Sequence, residues 1–205
     1  KGDPTFAADR IEVAYDLVTP WTGGPFALDT RAVRLVRPRL KASLTDKGLN
    51  FGPLQGLIDD LTKGPRNPQG GGPAILVENA RLDLRTSGGL ARITGDASLD
   101  NGQLLRFDGR LGAMRYAVQD LVVEARGALL TVRKRGDRLT LRARFDLDTL
   151  VAQSVELDDA QGQIDADIAY PDLARLSADG PADVRAVVEA GAARLGATQA
   201  DGASV

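Results

Sequence analysis

Asp165 and Asp167 are the first residues in this 205-residue chain whose type and spacing point to chemistry. Two carboxyl groups at i and i+2 share one face of an extended strand, a spacing that suits an acid/base pair or a cation site. Further carboxylate pairs stand at Asp59/Asp60 and Asp158/Asp159. None has the companions that such chemistry commonly uses. The chain contains no histidine and no cysteine, so the commonest general base and every thiolate site are absent. Gly70-Gly71-Gly72 is followed by neither a lysine nor a helical pattern, so it reads as linker, not as a phosphate-binding loop. The expectation is an exposed acidic strand face, with no metal, no cofactor and no enzymatic activity. A hydrolase built on Asp165 and Asp167 is the remaining enzymatic alternative.

A second group of residues is cationic. Arg31, Arg34, Arg37, Arg39 and Lys41 punctuate one segment. Arg34, Arg37 and Arg39 are candidates for contacts with phosphate head groups; the alternative is a solvated face that blunts an edge strand. Over the whole chain 26 Lys and Arg face 28 Asp and Glu, a net charge of -2. That balance speaks against a dedicated nucleic-acid binder. Arg135-Gly136-Asp137 spells an adhesion tripeptide, but its flanks read as a hairpin turn.

The elements that would position these residues are mostly strands. Apolar residues make up 43% of the chain and aromatics only 4%, so any core is built from Val, Leu, Ile and Ala. Period-two alternation runs through Arg10–Leu17, through 26–44 with a phase change at Pro38, and through 74–86 with a slip near Asn79. It continues through 91–99, 105–111, then Leu121, Val123, Ala125, Leu129 and Thr131, and finally 139–147 and 164–170. Asp100-Asn101-Gly102 is a strong turn signal. The tetrads starting at Asn79, Glu124 and Asp159 form a loose repeat, which suggests one hairpin unit used several times.

Two segments read as helices. Leu54, Leu57, Ile58 and Leu61 make an amphipathic stripe after Pro53, predicting a helix over 53–62. Val184, Val187, Val188, Gly191 and Leu195 do the same for the Ala-rich stretch 181–195. Residues 63–73 are Pro/Gly-rich and predict a mobile loop. The chain divides into one β domain over 1–180 and a C-terminal helix with a polar tail over 181–205. No stretch reaches the roughly 20 apolar residues of a membrane helix. The Lys1 start predicts that this is a piece of a longer protein.

The apolar strand faces comprise Ile11, Val13 and Tyr15; Val33 and Leu35; Ile93, Leu105 and Phe107; Leu139, Leu141 and Phe145; and Ile164 and Ile168. Alternation is compatible with two architectures. These faces either fill the core of a closed β-sandwich or line a long curved antiparallel sheet open as a groove.

The order of motifs resembles a known family. Ala8-Asp9-Arg10-Ile11-Glu12-Val13-Ala14-Tyr15 is similar to an early strand of AsmA-like proteins. Leu35-Val36-Arg37-Pro38-Arg39-Leu40-Lys41-Ala42, the stretch from Gly48 to Leu57 and that from Ile75 to Gly89 resemble successive motifs of the YdbH-type, TamB-related members. The resemblance spans residues 5–170. It implies an open, taco-like β groove and a non-enzymatic role in phospholipid transport between inner and outer membranes. It also implies a periplasmic location, an inner-membrane anchor lying N-terminal to this piece, and acyl chains as the partner of the apolar faces. The alternative is a structural or interaction module that scaffolds an envelope complex.

Overall fold

The computed structural model describes residues 5–18, 27–45, 48–56, 72–170, 180–195 and 198–204. Its first strands are β1 (Phe6–Ala7), β2 (Arg10–Val18), β3 (Ala27–Val36), β4 (Arg39–Thr45) and β5 (Gly48–Asn50). β6 (Ala74–Thr86), β7 (Gly89–Asp100), β8 (Gln103–Leu111), β9 (Met114–Val118) and β10 (Leu121–Arg135) follow. β11 (Arg138–Ala152), β12 (Val155–Ala169), β13 (Ala182–Leu195) and β14 (Thr198–Ser204) complete the set. All fourteen belong to one sheet, which is not closed into a barrel. No second sheet faces it among the described residues. The sheet is mixed: β3 and β4 run parallel to β6, and every other pairing is antiparallel.

From β6 onward the sheet is a meander of long hairpins. Asn101-Gly102 and Gly136-Asp137 make two of its turns, with positive φ at Asn101, Gly102 and Gly136 as tight hairpins require. Gln119-Asp120 and Gln153-Ser154 make two more, with Gln119 and Gln153 at positive φ. No glycine marks those two turns in the sequence.

Bulges keep one face apolar. β3 and β4 lie end to end along β6, interrupted at Arg37-Pro38, where Arg37 has φ 50°. The Arg37 amide donates to Glu78 O and the Arg81 amide to Pro38 O, so the parallel pairing bridges the interruption. In β6 the register jumps between Val77 and Ala80, where Asn79 has φ 52°. Both are the phase changes visible in the sequence. A second line of irregularities crosses β10 to β13: Arg126, Asp148, Asp159 and Gly191 are left without partners on four successive strands. On each of these strands the apolar set changes parity there. It passes from Leu147 to Leu150 on β11 and from Leu157 to Ala160 on β12. One extra residue per strand therefore returns the main apolar set to the same side. Two of the three tetrads of the loose repeat, those of Asn79 and Asp159, begin on bulge residues, and the third brackets Arg126.

Of the two helices expected from the sequence, the one over 181–195 is not formed. Residues 182–195 are a strand, paired with β12 from Val155↔Leu195 to Ile168↔Ala182. Val184, Ala186, Val188 and Ala190 alternate on one side, opposite Ala166, Ile164, Gly162 and Ala160. Val187 sits on the other side, and its apolar character produced the helical spacing. Pairing along a 15-residue neighbour outweighs the helix propensity of the alanines. Gly52–Leu54 form a 3-10 turn with Pro53 in its first positions, and Gln55 and Gly56 continue in helical conformation. Residues 57–62 of the expected helix, and 63–71 of the expected loop, lie outside the described residues.

Burial follows the two faces. Among the described residues Ala42, Ala91, Ala125, Val132, Leu139, Leu147, Ala160 and Ala190 form the buried core, and the register puts all of them on one side; Pro38, at the β3–β4 interruption, is buried as well. Among the described residues no polar or charged residue is buried. The accessible area is 13,805 Å², against roughly 9,200 Å² for a compact protein of this mass.

Candidate apolar binding face

Cross-strand partners share a face, so the register assigns every side chain to one side or the other. Val13 stands opposite Val33, and Val33 opposite Ile75; Leu82 stands opposite Ile93, and Ile93 opposite Leu111. Val132 lies between Phe107 and Leu141; Leu141 is followed by Ala166 and Val184. One unbroken row of apolar side chains (Ile11, Leu35, Val77, Ala97, Phe107, Val132, Leu141, Ala166 and Val184) runs across nine strands from β2 to β13. Of the residues expected to line such a face, Ile11, Val13, Tyr15, Val33, Leu35, Ile93, Phe107, Leu139, Leu141, Phe145, Ile164 and Ile168 fall on this side. Leu105 differs. The pairing passes from Ser98↔Arg106 to Leu99↔Leu104, so Leu105 is the extra residue of a bulge, 39% exposed, and Leu104 takes its place.

Exposure is graded across the face. Around β10 to β12 the packed cluster Ala125, Leu147, Ala160 and Ala190 is flanked by Met114, Val123, Phe145, Leu150, Leu157 and Val188. Toward the β2 edge Ile11, Val13, Tyr15 and Leu17 are 50–61% exposed, and toward the other edge Val184 and Leu195 are 64% and 66% exposed. Phe145 covers Gly162: a Cβ on Gly162 would meet the ring at 2.5 Å and Val187 O at 2.6 Å. A Cβ on Gly95 would run into Asp108 O across β7 and β8, and one on Gly109 into the Phe107 ring.

One contact bends the sheet at its hairpin end. The Leu104 amide on β8 donates to the Tyr170 hydroxyl at 2.6 Å, although β10 and β11 separate β8 from β12. Three strand spacings in a flat sheet amount to about 14 Å, beyond the reach of one tyrosine. Tyr170 is anchored by its own amide, which donates to Asp137 O at 2.8 Å. Burial raises its phenol pKa, and the hydrogen bond from Leu104 opposes that rise.

The opposite face is a lattice of ion pairs. Arg34 binds Glu78 through two hydrogen bonds of 3.0 and 2.8 Å and reaches Glu12 at 3.2 Å. Arg37 pairs with Asp9 at 2.9 Å and Arg31 with Asp16 at 3.3 Å. Arg39 is exposed beside Arg81. The three candidate head-group residues thus lie on or beside the charged face, with Arg34 and Arg37 already paired. Arg126, left out of the ladder, gathers Asp146, Asp148 and Asp159. Asp146 and then Asp159 raise its pKa further.

Asp165 and Asp167 are on this charged face too. Both border an open depression of about 790 Å³, together with Arg133, Arg135, Arg142 and Arg185. Arg142 at 2.6 Å, with Gln163, holds the Asp165 carboxyl below its ordinary pKa. Asp167 pairs with Arg138. A general acid requires the opposite shift. No cluster of three or more carboxylates able to hold a metal exists among the described residues. Asp59 and Asp60 lie outside them.

Sequence reasoning missed Leu104, Lys134 and Tyr170 as a group at one end of the apolar face. With Leu129 and Thr131 read as the apolar phase, Lys134 falls among the polar positions, and only the register moves it to the apolar side. No family model, no curated protein and no solved structure matches this chain.

Proposed function

We propose that this chain is a non-enzymatic lipid-binding module whose apolar face receives the acyl chains of phospholipid. The carrying observation is a row of apolar side chains continuous over nine antiparallel or parallel neighbours, with no covering layer among the described residues. Val, Leu, Ile and Ala make a smooth wall, and each methylene laid against it contributes about 0.8 kcal/mol. Such a wall reads chain length, not chemical detail. The AsmA-like, YdbH-type resemblance supplies the setting: an open groove in the periplasm, tethered to the inner membrane and passing phospholipid toward the outer membrane.

The test is organic extraction of the purified chain followed by mass spectrometry. Co-purifying phospholipid supports the reading, and its loss in Val13→Asp with Ile93→Asp links it to this face. Absence of lipid, together with failure to bind added phospholipid, sinks it. A second reading, a scaffold for an envelope complex, draws on the open edges at β2 and β14, whose unpaired backbone suits strand addition. It predicts a lipid-free protein that captures envelope proteins through those edges.

A further inference from the structure

Lys134 is the one charged side chain on the apolar face among the described residues. The register places it opposite Leu139, which stands opposite Ile168. The side chain is half-buried, and its ammonium donates to Gly136 O at the tip of the β10–β11 hairpin. It forms no ion pair with a described carboxylate. A lysine stem lying along apolar surface with its charge at the rim is a stable arrangement, because only the methylenes leave water. At the same end the Tyr170 hydroxyl accepts from the Leu104 amide and retains its own proton to donate. Asp137 is the nearest acidic group in sequence and is exposed, as is Arg135 on the opposite face. Arg138 is committed to Asp167 and Asp183.

One end of an otherwise uncharged face therefore offers a cation and a hydroxyl donor. We propose that this hairpin end is the subsite for the anionic end group of an amphiphile, a carboxylate or a phosphate, contacted by the Lys134 ammonium, with the chain extending along the apolar face. The inference rests on the lipid-binding reading and adds a head-group class and a direction.

The experiment measures binding of hexadecanoate, hexadecyl phosphate and methyl hexadecanoate to the purified chain and to Lys134→Met and Lys134→Arg. The wild type binds an anion about tenfold more tightly than the ester, the worth of one charge-assisted hydrogen bond. Lys134→Met, which keeps the apolar stem, brings the anion down to the ester's affinity and leaves the ester unchanged. Lys134→Arg retains the preference. Whichever anion shows the Lys134-dependent gain identifies the end group. Equal affinities for anion and ester in the wild type, or a preference that survives Lys134→Met, overturns the subsite while leaving the groove intact. Failure of all three amphiphiles to bind the wild type removes the groove and the subsite together. If Lys134→Met does not fold, added salt replaces it: the wild type must lose anion affinity and keep ester affinity.

Discussion

At the scale of single residues, the charged face reports on pH. Arg81 holds the Asp83 carboxyl below its ordinary pKa, with Arg92 adding to the effect; Arg133 and then Arg106 do so for Asp108, and Arg142 for Asp165. A carboxyl depressed in the folded state favours folding above its unfolded value of 3.8, and that contribution disappears as pH falls through the folded value. The urea midpoint should therefore stay level from neutral pH down to about pH 5 and drop below about pH 4. Because the pairs are largely exposed, each contributes little, and high salt should flatten the acid drop. Glycines make the sharper prediction. Gly162→Ala forces a methyl against the Phe145 ring and Val187 O. It should lower stability by about 1–3 kcal/mol, read from the urea midpoint. A companion Phe145→Ala should relieve only the ring half of that clash, since the Val187 carbonyl is backbone.

At the scale of elements, the contested segment is β13. Its alanines and the valines at 184, 187 and 188 satisfy a helical template, yet they also alternate, and pairing with β12 decided between the two. Ile164 and Ala186 are direct partners in that ladder. Partners in an antiparallel pair place their Cα atoms about 4.5–5.5 Å apart, within disulfide range. Ile164→Cys with Ala186→Cys should therefore crosslink on oxidation and give a shifted band on a non-reducing gel. Ile164→Cys with Val187→Cys should crosslink poorly, because residue 187 faces the other way. A helix packed on the sheet would not show this alternation.

Bulges are the other lesson at this scale. Those at Pro38 and Asn79 were legible because a proline or an asparagine interrupts a clean alternation. The line through Arg126, Asp148, Asp159 and Gly191 was not. Its parity changes hide among charged and small residues, so Leu129 and Thr131 read as apolar-face positions although the register puts Ala128 and Leu130 there. Leu105 was misread for the same reason.

For the whole molecule, the organising fact is a sheet with one side for water and one side that, among the described residues, carries no charge except at Lys134. Phe145→Asp tests both roles of that side. It should abolish binding of a fluorescent fatty-acid probe and also lower the urea midpoint, because the ring covers Gly162. Val13→Asp, half exposed near the β2 edge, should leave the midpoint within about 0.5 kcal/mol while reducing probe binding. A fully active Phe145→Asp protein would show that the face neither binds nor packs.

The sequence by itself determined the strands, the apolar phase of most of them, the glycine-marked hairpins and the scarcity of catalytic side chains. Those properties are local: a period of two, a turn residue or an absent histidine is complete within a few positions. Only the tertiary structure decided that 182–195 is a strand, that β3 and β4 run parallel to β6, and that the sheet stays a single layer. It also decided that Arg34 and Arg37 are spoken for by Glu78 and Asp9, and that Tyr170 meets Leu104. Each of these depends on which distant strand lies alongside, and pairing between residues tens of positions apart leaves no mark in the period of either strand.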